Sequence, residues 1–385
     1  MMDLPLEGIT VLEFSQYLSG PSAGLRLADL GARVIKIERP VHGEAGRKLS
    51  IKNLWVDDSS LLFHTINRNK ESFAADLKNP DDLALVKQLI AKADVLIHNF
   101  RPGVMQKIGL DYDAASEINP GLVYAEITGY GKEGPWKEKP GQDLLMQSLT
   151  GLTFTTGNAT NGPVPFGISI ADILCGAQLV QGIIAALIRR SKKKTGALIE
   201  VSLMETLLDF QFELLTTYYN SQQQPLRSKT NSGHTLLGAP YGVYKAADGF
   251  IALAMMDIAV LAETVECAAL QGFTTSQAFA QRDNIKSILA DHLHKNTVKH
   301  WLQKLQERGL WAMEVLDWEK MTTHDAYRAL QMEQVLHAAG KEIITTRCPI
   351  RINGQRLVSG KPAPKVGEHN EMLIREMNEV IVNKK

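Results

Sequence analysis

The fold class turns on residues 8–40, GITVLEFSQYLSGPSAGLRLADLGARVIKIERP. GITVLEF (8–14) is an apolar run of strand length, and the Ser/Gly/Pro turn after it leads into a helical segment, PSAGLRLADLG, with Gly31 placed to end it. ARVIKIERP (32–40) is a second strand, stopped by Pro40. Together they make one β-α-β unit. Beyond a polar excursion at 41–60, the pattern resumes with ESFAADLK (71–78), the helix PDDLALVKQLIAKA (80–93), and the strands DVLIHNF (94–100) and LVYAEITGYG (122–131). Such alternation predicts an α/β protein: a Rossmann-like, doubly wound parallel sheet that takes its ligands at the carboxyl ends of the strands.

After Gly131 the chain loosens into a Pro/Gly/Lys loop, KEGPWKEKPGQD, before two long helical stretches, one around 167–188 and one at 204–222. RRSKKKTG between them is a solvated turn into the strand ALIEVSL, and QQQPLRSKTNSGH (222–234) reads as a linker. YGVYKAADGFIALAMM (241–256) predicts a hairpin around Asp248 and Gly249, followed by amphipathic helices to about 308. The expected organisation is a large Rossmann-like domain over 1–222, a linker and small α+β domain over 223–325, and a C-terminal segment, 326–385, returning to the large domain. No internal repeat or low-complexity tract is present.

Forty-two Lys plus Arg balance 42 Asp plus Glu in 385 residues, so there is no global basic field to attract nucleic acid or an anionic membrane, and any anion needs a local site. MMDLPLEG at the N-terminus has no apolar signal core, and the longest greasy run, 173–188, is interrupted by Gln178 and Gln181. A soluble cytoplasmic protein is expected. Cys175, Cys267 and Cys348 lie far apart, without zinc or redox spacing. His292 and His294, two apart on a helix, point away from each other, so no metal site is expected.

SGPSAG followed by Glu38 departs from a dinucleotide fingerprint, because it lacks the G-x-G-x-x-G spacing and puts Pro21 after the first glycine. A nicotinamide cofactor is not expected. Neither a Gly-Lys-Ser/Thr phosphate loop nor a G-x-S-x-G elbow appears. Arg39, Lys78, Arg101 and Lys107 do recur at predicted strand ends and turns, along one rim of the sheet, and Phe100 can offer a flat apolar face to a purine. Asp172 stands in the apolar stretch GISIADILCG (167–176). Burying an unpaired carboxylate costs several kcal/mol or raises its pKa, so it is either a helix cap or paired core residue, or a group with a use.

LEGITVLEFSQYLSGP, LGARVIKIERP, NRNKESFAADLK, ADVLIHNFRPG, INPGLVYAEITGYGKEGP, ISIADILCG, TGALIEVSLMETLL and APKVGEH, in this order and spacing, resemble the class III coenzyme A transferases, which share their fold with α-methylacyl-CoA racemase. The resemblance implies that Asp172 is the catalytic aspartate, attacking an acyl-CoA thioester and passing through a mixed anhydride and an aspartyl-CoA thioester before CoA leaves on an acceptor acid. It further implies that Arg39 and Lys107 meet the CoA phosphates, that Ala75 and Lys78 lie at the adenosine end, and that Asn99, Phe100 and Arg101 line the cofactor. Lys139 joins this set, and Tyr17 and Leu18 fall near the pantetheine and acyl group. Gln142 stands beside the substrate where the racemase has its catalytic histidine, and it cannot deprotonate an α-carbon at neutral pH. Transfer is therefore favoured over isomerisation, the competing readings being a racemase-type isomerase and a non-catalytic CoA-binding protein. The sequence lacks the Gln of formyl-CoA transferase in the 17–18 turn and has no glycine-rich shielding loop after IALAMMD. Arg47, Arg227, Lys229 and His234 are candidates to neutralise a second carboxylate on the substrate, or are surface charges. The implied partners are acyl-CoA, a free carboxylic acid and a second copy of the chain in an interlocked ring-like homodimer.

Overall fold

A computed structural model describes residues 3–382, with side-chain surroundings through Glu379; Met1 and Met2, where the N-terminal reading starts, lie outside it. The chain forms two compact units, one holding the residues up to Met146, Ser169–Leu207 and the chain from Leu330 on, the other holding Gln147–Ile168 and Leu208–Ala329.

In chain order the first unit begins β1 (Thr10–Glu13), α1 (Ser19–Asp29), β2 (Arg33–Glu38), the short pair β3 (Trp55–Val56) and β4 (Ser59–Ser60), α2 (Leu61–Asn67), β5 (Glu71–Ala74), α3 (Pro80–Ile90), β6 (Val95–His98), α4 (Val104–Lys107), α5 (Tyr112–Ile118) and β7 (Val123–Thr128). It continues through the first half of α6 (Asp143–Leu149), α7 (Ile170–Lys193), β8 (Ala197–Ser202) and the first part of α8 (Leu203–Phe210), the ends of α6 and α8 belonging to the second unit. Six strands pair in parallel in the order β5-β2-β1-β6-β7-β8. This is the doubly wound arrangement, and its direction of winding reverses between β1 and β6.

The strand period of two sorts β1 between the faces. Leu12 and Phe14 enter an apolar layer with Val86, Leu89 and Ile90 of α3 and Leu373 and Met377 of the C-terminal helix. Glu13 faces α1 instead, where a Cβ on Gly24 would fall 1.8 Å from its Oε2. Only glycine lets α1 lie this close.

α7 is long and apolar enough to cross a membrane by length and composition. Yet Cys175, Gly176, Leu179, Val180 and Ile183 are buried as it packs on α1 and on β7 and β8, so it is a core helix. The free edge of β5 is covered by the C-terminal segment: Ala74 N donates to Asn370 Oδ1 and Asn370 Nδ2 donates back to Ala74 O, at 2.8 and 2.9 Å.

The second unit carries α9 (Phe212–Ser221), then an antiparallel sheet of β9 (Gly242–Lys245), β10 (Phe250–Leu253) and β11 (Ala312–Glu314), with α10 (Ile258–Thr264), α11 (Arg282–Leu293) and α12 (Val298–Glu307) around a core of Tyr244, Ile251, Leu253, Leu289, Trp301 and Leu305. The segment 222–234, polar enough to read as a linker, departs from that reading over its second half. Arg282 donates to the carbonyls of Leu226 and Thr235, and Lys286 donates to Ser228 Oγ and Asn231 O, burying Arg227 and Ser228. Polar composition conceals a segment fixed by cations from elsewhere in its own unit.

Candidate active site

Asp172 lies in the first turn of α7, and one turn further on Gly176 explains its placement. A Cβ at Gly176 would meet Ser22 Oγ at 2.3 Å and the Ser19 carbonyl at 2.6 Å. α7 therefore presses directly onto the first turn of α1, and the Ser19 hydroxyl donates to the Asp172 carboxylate. Asp172 is not the helix cap: Asp143 fills that role from α6, its Oδ2 accepting from the amides of Ala171 and Asp172 at 2.7 and 3.2 Å. Nor does Asp172 have an ion-pair partner among the described residues. Burial, together with the nearby Asp143 charge, pushes its carboxyl up to about 6, against the opposing Ser19 hydrogen bond. Cys175, on the same helix, has its thiol pushed up to about 12 by burial and stays protonated.

The loop joining β1 to α1 passes this carboxylate at the switch point, and both its ends are tied down from beneath. Glu13, wholly buried, accepts from Lys36 Nζ at 2.8 Å and Lys70 Nζ at 2.7 Å. The same lysines reach the loop: Lys36 donates to Ser15 O at 2.9 Å, and Lys70 to Pro21 O at 2.8 Å. Between these anchors Glu44 Oε2 accepts from the amide of Tyr17, whose φ is +64°. Asn99, just past β6, completes the clamp with an amide pair, Oδ1 accepting from Gln16 N and Nδ2 donating to Gln16 O, both at 2.8 Å. Burial lowers Lys70 to about 8 against the attraction of Glu13, whereas Lys36, which also stands 3.8 Å from the buried Glu44 carboxylate, is raised.

The remaining candidates fall along the carboxyl rim of the sheet. Arg39 follows β2, Ala75 and Lys78 follow β5, Asn99, Phe100 and Arg101 follow β6, and Lys107 ends α4. Arg39, Lys78, Arg101 and Lys107 are exposed and have no side-chain ion pair or hydrogen bond among the described residues. Ala75 is buried, its amide donating to Glu38 O, while Leu18 and Phe100 are half-buried and Tyr17 is exposed. Lys139, over the Trp136 ring, and the exposed Gln142 belong to the loop after β7; Gln142 lies next to the capping Asp143.

Glu38, where a dinucleotide fold would hold a ribose, is instead gripped by Arg47 at 2.6 and 2.9 Å and by Ser72 Oγ at 2.6 Å. Arg47 is thereby committed within the first unit and not available to a substrate carboxylate. Arg227, Lys229 and His234 lie in the second unit, where Arg227 donates to Thr156 O and His234 stands 3.5 Å from Glu213. Ser19 and Asp143 escape sequence reasoning: a serine in a Ser/Gly/Pro turn looks like turn chemistry, and Asp143 acts on backbone 28 and 29 residues away.

These features define an α/β protein of the doubly wound class, with a half-buried carboxylate and a row of uncompensated cations along the strand ends. Residues 6–370 match CoA-transferase family III, and the chain belongs to that family. It is 32% identical to the succinate–glutarate CoA-transferase of Agrobacterium fabrum, covering 98% of this chain and 96% of that one. It is 31% identical to the acetyl-CoA:oxalate CoA-transferase of Acetobacter aceti, over 97% and 95% of the two chains. Among solved structures, a CAIB/BAIF family protein from Brucella suis superposes with a TM-score of 0.85 at 28% identity, covering 98% of this chain and all of that one.

Proposed function

We propose that this protein is an acyl-CoA:carboxylate CoA-transferase in which Asp172 is the nucleophile. The observation that carries the residue assignment is the contrast between its surroundings and those of an ordinary buried aspartate: a hydroxyl and a second carboxylate face it, and among the described residues no cation does. A carboxylate kept poorly solvated is a better nucleophile than a hydrated one, and a pKa near 6 leaves it largely ionised at neutral pH.

Asp172 attacks the thioester carbonyl of the donor, forming a mixed anhydride and releasing CoA thiolate. The thiolate sulfur adds to the aspartyl carbon, the donor acid leaves as carboxylate, and an aspartyl-CoA thioester remains. The acceptor carboxylate then displaces the thiolate to give a second anhydride. Attack of the thiolate on the acceptor's acyl carbon forms the new acyl-CoA and restores Asp172.

Arg39 and Lys107 hold the CoA phosphates, Ala75 and Lys78 receive the adenosine end, and Phe100 and Arg101 line the cofactor, a reading supported by the exposed, uncompensated cations along the strand ends. Asn99 acts by fixing the β1–α1 loop, which brings Tyr17 and Leu18 to the acyl end, and Lys139 and Gln142 close the site from the loop after β7. The chain works as an interlocked homodimer. Since the relatives' names specify succinate, glutarate and oxalate, dicarboxylates head the panel of acceptors. The test is a screen of CoA thioesters against free acids with Asp172→Ala as the blank. Formation of a new thioester by the wild type alone is expected; transfer by the variant at a normal rate refutes the assignment.

A further inference from the structure

Two side chains, Asn99 and Ser19, form a relay from the Gln16 backbone toward Asp172. The Gln16 amide donates to Asn99 Oδ1 at 2.8 Å, which fixes the orientation of the Asn99 amide and leaves its Nδ2 toward Ser19 Oγ at 3.4 Å. With its oxygen accepting from Asn99, the Ser19 hydroxyl has its own proton left for the Asp172 carboxylate. Ser19 is 4% exposed, and the absence of a side chain at Gly176, where a Cβ would fall 2.6 Å from the Ser19 carbonyl, lets the two helices approach to this spacing. The arrangement is therefore preorganised, with the donor fixed before any substrate arrives.

We propose that Ser19 is a further catalytic group, which sorts the two oxygens of Asp172 and stabilises negative charge at the aspartyl carbon. This rests on the reading of Asp172 as the nucleophile. The oxygen that accepts from Ser19 is the poorer nucleophile, so the other oxygen attacks the thioester. In the resulting anhydride the Ser19-bound oxygen is the aspartyl carbonyl oxygen. When the CoA sulfur adds to this carbon, the S–C bond forms and the carbonyl π pair moves onto that oxygen, under the Ser19 hydroxyl. On collapse the carbonyl is restored and the bond to the bridging oxygen breaks, its electron pair leaving with the donor carboxylate. The acceptor carboxylate adds to the same carbon in the next half-reaction, so one hydroxyl serves both additions.

The role makes a prediction that a merely structural serine does not. With acyl-CoA and no acceptor acid, rapid quenching and intact-mass measurement follow the CoA-linked enzyme. For Ser19→Ala its formation is expected to slow by on the order of 10²- to 10³-fold, with a matching loss in kcat and little change in KM for acyl-CoA. Ser19→Cys, which keeps the volume and a weak donor, is expected to fall between the two and serves in place of the alanine variant should that variant not fold. A wild-type rate of adduct formation in either variant overturns the proposal, including the case where kcat falls for some other reason. Failure of the underlying reading looks different: the wild type then forms no CoA adduct, or Asp172→Ala still transfers CoA.

Discussion

Replacing Asp172 by asparagine is expected to abolish transfer and at the same time stabilise the protein. The carboxyl is lifted from the ordinary aspartate value of 3.8 to about 6. A lift of that size corresponds to about 3 kcal/mol by which folding disfavours the ionised form. The sign follows from proton linkage. Because the folded carboxyl holds its proton more tightly than the unfolded one, stability is lost as pH rises from about 4 to 6, and above about 6 the whole penalty is present. The amide introduced by the substitution carries no charge at any pH, still accepts from Ser19 and no longer repels Asp143. Asp172→Asn should therefore exceed the wild type by up to about 3 kcal/mol at pH 8, and the gap should close toward pH 4. At about 2–4 °C per kcal/mol for a unit of this size, melting curves at pH 8 should differ by up to roughly 6–12 °C. Paired thermal melts of both proteins from pH 4.5 to 8 provide the measurement. A variant no more stable than the wild type at pH 8, or a gap independent of pH, refutes the claim that Asp172 is held as a disfavoured charge.

Asp143→Asn removes the repelling charge while leaving an acceptor at the head of α7, so the acid limb of kcat/KM, set near pH 6 by Asp172, should move to lower pH; an unmoved limb would show that Asp143 does not influence the nucleophile. Arg39→Ala should weaken CoA binding by about 1–3 kcal/mol in calorimetry, as for a lost charge-assisted phosphate contact, and an unchanged Kd removes Arg39 from the site. Gly24→Ala places a methyl group 1.8 Å from a Glu13 oxygen pinned by two buried lysines, so it should destabilise by about 3 kcal/mol, at or beyond the upper end of ordinary overpacking; a loss under about 1 kcal/mol would mean that Glu13 can move aside.

The parallel sheet was legible because β-α-β alternation is a local pattern: GITVLEF, ARVIKIERP and DVLIHNF each announce a strand, and their connecting helices force parallel pairing. Two local features escape the sequence for definable reasons. LLFHTIN is too short and too mixed to signal α2, which is fixed by the Ser60 cap and by the burial of His64 and Asn67. The 41–60 excursion holds Arg47, buried by its grip on Glu38, a partner that no periodicity reveals. In the site, the residues at strand ends are legible from sequence because position along a strand fixes the rim. The Asp143 cap and the Ser19 contact are not, since both arise where α1, α6 and α7 meet.

What distinguishes Asp172 from the other buried acids is the character of its neighbours. Glu13 is held by Lys36 and Lys70, Glu38 by Arg47, and Glu126 by Lys132 and His98, and each of these carboxyls is lowered below its ordinary value although burial alone would raise it. Asp172 is also desolvated by burial, and it moves the opposite way. The fold supplies cations readily; in this region it directs two of them to Glu13, beneath the loop that delivers Ser19, and, among the described residues, none to Asp172. Tying the loop with charge from below, while leaving the carboxylate beside it uncompensated, fixes the geometry around the reacting group without neutralising it. A cation at Asp172 would favour its ionised form and weaken it as a nucleophile, whereas a single hydroxyl keeps one oxygen free to attack.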